Sequence, residues 1–280
     1  MRETRAFILL ILIALAIAAC GGDDSGIPVL NPDFYVNPTI GSDSNVGSYV
    51  LPFKTITYAM AMAAAGNVVM AEPGTYDAAN GETFPIRIAS GVTLVGDELF
   101  KGAGPIQTVI SGMGNFGAGE AAVVTGEGST IAGFFITTGD VSTFDTGAVF
   151  VNATHVKVRN NTLTASYQGL FSDNGPADVR VQGNVIRYND IGVRLSYTGM
   201  DLGGGAAESP GLNQIRCNTT TDIYMAVDEP GKPAYARNND WDHAPPDESS
   251  TPSAGLDIYI KYIGNTIDTT GAYSSVLLCT

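Results

Sequence analysis

The chain has 280 residues, 44% of them hydrophobic and only 15% charged, with 34 Gly and 14 Pro. Gly and Pro together exceed the ~12% of an average chain and charge falls short of the usual ~25%, which excludes coiled coils, helical bundles and intrinsic disorder. Fourteen Lys and Arg against 28 Asp and Glu give a formal charge of −14, which repels phosphate backbones and excludes nucleic acid as a partner.

In chain order, Arg2 and Arg5 precede an apolar run over residues 6–19. That run is shorter than the ~20 residues a helix needs to span hydrocarbon, so it reads as a secretory signal. It ends Leu15-Ala16-Ile17-Ala18-Ala19-Cys20, which resembles the lipobox of bacterial lipoproteins. The resemblance implies removal of residues 1–19 and lipid attachment at Cys20, whose acyl chains anchor by about 0.8 kcal/mol per buried methylene. Gly21 follows the cysteine, where an Asp would in Gram-negative relatives imply inner-membrane retention, so the implied location is the outer membrane, on its periplasmic face or the cell surface. The alternative is an ordinary cleaved signal. Residues 20–26 read as a short acidic tether, and residues 27–280 as one folded domain.

Residues 55–65 are the one segment of the mature chain with helical periodicity, placing Ile56, Ala59, Met60 and Ala63 on one face with Gly66 as the stop. From about residue 68 onward, short β-branched runs alternate with Gly, Asn and Asp, the pattern of many short strands. An Asn recurs in equivalent hexamers at Asn161, Asn184, Asn218, Asn239 and Asn265, with Phe134 in the same slot earlier. A second series, Gly147, Gly169 and Gly192, repeats at nearly the same interval. A period in the twenties with several strands per repeat predicts an all-β fold. The expected form is a single-stranded right-handed parallel β-helix of about eight coils, with the short N-terminal helix as its cap and a C-terminal plug. The Asn is expected in a left-handed turn between strands, its amide bonding the next rung. A β-sandwich is the alternative.

Phe34-Tyr35-Val36-Asn37, Gly41-Ser42-Asp43, Pro52-Phe53-Lys54-Thr55-Ile56-Thr57, Glu72-Pro73-Gly74-Thr75-Tyr76 and Val92-Thr93-Leu94-Val95-Gly96 resemble the opening of pectate-lyase-like β-helix proteins. Within them they resemble a bacterial surface group known only as a domain of unknown function. The resemblance implies a fold and an exported location; it carries no catalytic residues.

Polysaccharide lyases on this fold need an Arg or Lys base beside calcium, and hydrolases need paired carboxylates. Arg159, Arg180 and Arg194 with Asp173, Asp178 and Asp190 are the residues that would meet such a need if they shared a face. No motif selects them. Asp240, Trp241, Asp242 and His243 form the most suggestive cluster, an aromatic surface with two carboxylates and an imidazole suited to a sugar or to calcium. The alternative there is a Pro-rich loop whose Trp packs on the core. Cys217 and Cys279 remain as an even pair in an oxidising compartment, either bonded or as two buried thiols. The expected protein is therefore a monomeric envelope lipoprotein binding polysaccharide without catalysis. The alternative is a polysaccharide lyase, hydrolase or epimerase acting on acidic glycans. No cofactor motif is present, and calcium is the one ion the acidic cluster suits.

Overall fold

The computed structural model describes residues 31–280 except Asn174, Asp228, Pro230, residues 276–278 and Thr280. The signal segment, Cys20 and the tether lie outside the described residues. From Asn31 onward the chain forms one compact unit.

That unit is a right-handed parallel β-helix. Three sheets run along it, of nine, six and eight strands in their main paths, and successive strands within each sheet are parallel partners from successive coils. The strands are only two to five residues long, so each coil contributes one short step to each sheet, about 4.8 Å from the next.

The core follows from residue type at three positions per coil. In the first sheet Val69, Leu94, Ile131, Val158 and Val181 stack in register. In the second, Tyr76, Ile110, Ile136, Leu163, Ile186 and Ile215 do so. In the third, Val123, Val149, Leu170, Val193, Ile223 and Ile258 do so. All of these side chains are fully buried. Branched apolar side chains stacked at a strand spacing exclude water along three seams, which is the dominant favourable term in such a solenoid.

The corner between the first and second sheets holds an asparagine ladder, with a register that differs from the expected one. Asn161 Nδ2 donates to Asn184 Oδ1 at 3.2 Å, Asn184 to Asn213 at 3.0 Å and Asn213 to Asn239 at 3.0 Å. The backbone N–H of Phe134 donates to Asn161 Oδ1 at 3.1 Å, so Phe134 does occupy the slot one coil earlier. Asn218 and Asn265 do not belong to this ladder. Asn218 lies in a second one at the next corner, where Ser166 N donates to Asn189 Oδ1, Asn189 Nδ2 to Asn218 Oδ1, and Asn218 Nδ2 to Asp222 Oδ1. Asn265 precedes its strand and donates to Val227 O.

The ladder residues are also not the left-handed ones. Positive φ falls one position earlier, at Gly133, Asn160, Gly183, Leu212 and Asn238, and again at Ala165, Tyr188 and Cys217 before the second ladder. The turn residue bends the chain, and the next side chain then points inward, where its amide bonds the main chain of neighbouring coils. At Gly183 a Cβ would meet Asn160 Oδ1 at 2.4 Å, so close stacking of the turns adds to the demand for glycine there.

The cap helix is shorter than its periodicity suggests, running Ile56–Met62 with Ile56, Ala59 and Met60 buried. The Thr55 hydroxyl accepts from Tyr58 N, and Glu82 accepts from Ile56 N and Thr57 N, satisfying the free N–H groups of the first turn. It stops at Ala63 because Asn67 Oδ1 takes the Ala64 N–H at 2.9 Å and turns the chain into the strand Val68–Ala71. The glycine series is likewise offset: Gly147 pairs with Gln168, so Ala148 is the true partner of Gly169, whereas Gly169 and Gly192 do align.

Candidate functional site

Residues adjacent in a strand point to opposite faces. Since Val123, Val149, Leu170, Val193, Ile223 and Ile258 fill the core, the next residue of each strand lies on the outer face of the third sheet. These are Val124, Phe150, Phe171, Arg194, Tyr224 and Tyr259, aligned rung by rung. The row changes character along its length. Phe150 and Phe171 are covered by Phe116, whose ring stacks on Phe150 at 4.2 Å between centroids. Beyond them the row is open and polar, with Arg194, Tyr224 and Tyr259 partly exposed.

Arg194 lies between two carboxylates, with Nη1 3.3 Å from Asp145 Oδ1 and Nη2 3.0 Å from Asp173 Oδ1. Tyr224 and Tyr259 stack in parallel at 5.2 Å. Tyr167 approaches from the preceding turn against Phe144, 5.4 Å away. Burial raises the pKa of the Tyr167 hydroxyl, as do the charges of Asp190 and Asp145, while Arg194 opposes them, so these groups share one electrostatic environment. The phenol therefore stays protonated and can donate. The face thus joins aromatic rings, hydroxyl groups, carboxylate acceptors and a guanidinium donor, the set that recognises a polyhydroxylated ring by stacking and hydrogen bonding. Reading the sequence alone missed this row, because its spacing lengthens from 21 and 23 to 30 and 35 residues as the later coils acquire loops. The signal was present one residue after each core position of the third sheet.

The cluster at 240–243 is placed differently from its expected role. Trp241 is fully buried in the core, so it offers no stacking surface. Asp240 is 1% exposed and accepts from Ser275 N at 2.7 Å and Ser275 Oγ at 2.6 Å. Asp242 Oδ2 accepts from Cys217 N at 2.8 Å, and its Oδ1 lies 3.6 Å from Arg216 Nε. His243 is half-exposed with Nδ1 2.9 Å from Asp257 Oδ2, a contact that raises its pKa. Alternation along the segment thus sends Trp241 inward and leaves Asp242 and His243 beside the buried Asp222 and Asp257, which sequence spacing did not connect to them. Burial pushes Asp222 well above the carboxylate range, opposed by a hydrogen bond from Asn218 and reinforced by Asp242 and Asp257.

The three arginines do not line one face. Arg159 and Arg180 belong to the first sheet and Arg194 to the third. Arg159 Nη1 pairs with the buried Glu98 at 2.6 Å. Arg180 lines a cleft of about 370 Å³ with His155, Lys157, Asp178 and Glu208. Asp190 accepts from Thr220 Oγ1 at 2.8 Å. Cys217 and Cys279 are joined by a disulfide with Cα atoms 5.3 Å apart. A cleft of about 770 Å³ between Ala244–Pro245 and residues 266–272 holds one ionisable side chain, Asp268, which pairs with Arg237.

Comparison with known proteins returns the fold. Pectate lyase Pel9A superposes with a TM-score of 0.51 at 18% identity, covering 74% of this chain and 52% of that one. A lacto-N-biosidase from Eubacterium ramulus gives 0.45 at 12% identity over 74% and 43%. Pectin methylesterase PemA from Erwinia chrysanthemi gives 0.38 at 12% over 88% and 81%. The chain thus spans about half the length of the first two. No curated sequence matches it. The family model described as "protein of unknown function (DUF1565)" matches residues 39–176 and 169–248, most of the chain, and the protein belongs to that family.

Proposed function

We propose that this protein is an exported, lipid-anchored envelope protein whose β-helix binds polysaccharide on the outer face of the third sheet without cleaving it. The observation that carries the reading is Arg194 held between Asp145 and Asp173 in line with the stacked Tyr224 and Tyr259. Both terminal nitrogens of Arg194 are engaged by carboxylates, so Arg194 serves as a hydrogen-bond donor and not as the proton-abstracting base of a lyase. Two carboxylates, Asp145 and Asp173, flank the one guanidinium, and the charge of Asp190 acts on the neighbouring Tyr167, in a chain of net charge −14, which favours an uncharged glycan over an acidic one. Anchoring and export rest on residues 1–20 as a sequence.

A glycan array covering neutral and acidic polysaccharides tests the binding. Retention of neutral chains with no new reducing or unsaturated ends is the expected result. New ends would replace this reading with a hydrolase or lyase, and silence across the array would remove binding altogether. Metabolic labelling with palmitate tests the anchor: the label enters the wild type and is absent from Cys20→Ser.

A further inference from the structure

Asp222 and Asp257 sit one rung apart in the third sheet, at a position held by Ala122, Ala148, Gly169 and Gly192 in the earlier coils. Both are buried, at 2% and 0% exposure. Two carboxylates stacked a strand spacing apart in the interior repel each other and lose their hydration. Asp242 joins them from the loop that follows Trp241, and one oxygen from each of the three lies within 4.8 Å of the other two.

Hydrogen bonds fix one oxygen of each group. Asp222 Oδ1 accepts from Asn218 Nδ2 at 2.8 Å, Asp257 Oδ2 from Asp247 N at 2.8 Å, and Asp242 Oδ2 from Cys217 N at 2.8 Å. Asp222 Oδ2 and Asp257 Oδ1 are buried with no partner. A pair of unsatisfied carboxylate oxygens inside the protein requires either protons or a cation. Of the positive groups nearby, Arg216 pairs with Asp240 and reaches Asp242 Oδ1 at 3.6 Å, and His243 takes the other oxygen of Asp257, so neither donates to Asp222 Oδ2 or Asp257 Oδ1.

We propose that Asp222, Asp242 and Asp257 form a divalent-cation site of the calcium class that clamps the loop after Trp241 onto the last two coils. The donors are all carboxylate oxygens, which select hard cations. The three oxygens are close enough together for one ion to touch all of them, and an irregular set of carboxylates suits the flexible shell of calcium better than the near-octahedral, reluctantly dehydrated shell of magnesium. Asp242 is only partly buried, so the site opens to solvent along that side. The site is independent of the polysaccharide face.

Calorimetric titration of the purified protein with CaCl₂, paired with melting in EDTA and in CaCl₂, tests the assignment. The wild type binds calcium saturably and melts higher in its presence, with a weaker response to MgCl₂. Asp222→Asn and Asp257→Asn each lose at least tenfold in calcium affinity along with the melting response, yet melt at or above the wild type in EDTA, because each removes a buried carboxylate that must otherwise take up a proton when no cation is bound. Asp178→Asn, an exposed acid on another sheet, keeps the full response. A wild type whose melting point ignores CaCl₂ up to about 10 mM, beyond the weak end for extracellular calcium modules, overturns the proposal even if a variant fails to fold. Calcium binding that persists unchanged in both Asn variants overturns it equally.

Discussion

The interior asparagines show how one side chain holds several coils together. Asn184 accepts from Asn161 N at 3.0 Å, donates to Val158 O at 2.9 Å and donates to Asn213 Oδ1 at 3.0 Å. Replacing it by Ala takes these partners from the buried Asn161 N–H and Val158 carbonyl, while Asn213 Oδ1 keeps the Asn184 N–H; at about 1–3 kcal/mol for each, Asn184→Ala lowers stability by roughly 2–6 kcal/mol in urea titration. Leu212 provides the opposite case. It takes φ +61° with its side chain 55% exposed, where Asn160 and Asn238 stand in other coils. Left-handed backbone costs a branched residue about 1–2 kcal/mol, so Leu212→Asn raises the unfolding midpoint, by an amount on the order of 1 kcal/mol. The sequence already displayed the ladder as a repeating Asn, but not its membership. Asn218 shares the Ile-Arg-Cys-Asn pattern of the first corner and lies at the second, because an added loop between Asp201 and Asn213 shifts the count. Burial, not motif shape, separates the two ladders from Asn160 and Asn238 on the outside.

At the scale of elements, the strands were legible because the interior demands a β-branched or apolar residue at a fixed place in every coil. The helix was legible as to existence and face but not as to end, since the Asn67 side chain that stops it lies outside the periodic segment. Trp241 and the two cysteines were legible as residues of consequence without their roles. Trp241 plugs the core, and the Cys217–Cys279 disulfide ties the chain end to the turn before Asn218. That bond closes a separation of 62 residues, and on loop entropy alone its loss costs about 4 kcal/mol. Cys279→Ser accordingly lowers the melting temperature by several degrees, and reductant has no further effect on the variant, as differential scanning calorimetry will show.

For the β-helix unit as a whole, the three sheets differ in what their outer faces carry. The first bears the cleft with Lys157, Arg180, His155 and Asp178, and the third bears the row of Arg194, Tyr224 and Tyr259. Neither assembly was visible as a site in the sequence, since each gathers one or two residues from coils 20 to 35 positions apart. A parallel stack turns such scattered residues into a continuous strip, and the strip's chemistry carries the functional reading. The most direct test is the affinity of the protein for immobilised neutral cell-wall polysaccharides, compared across Arg194→Ala, Tyr259→Ala and, on the first sheet, Arg180→Ala. The third-sheet variants are predicted to bind at least tenfold more weakly, with Arg180→Ala unchanged. Equal binding by all three, or a loss confined to Arg180→Ala, would contradict the account.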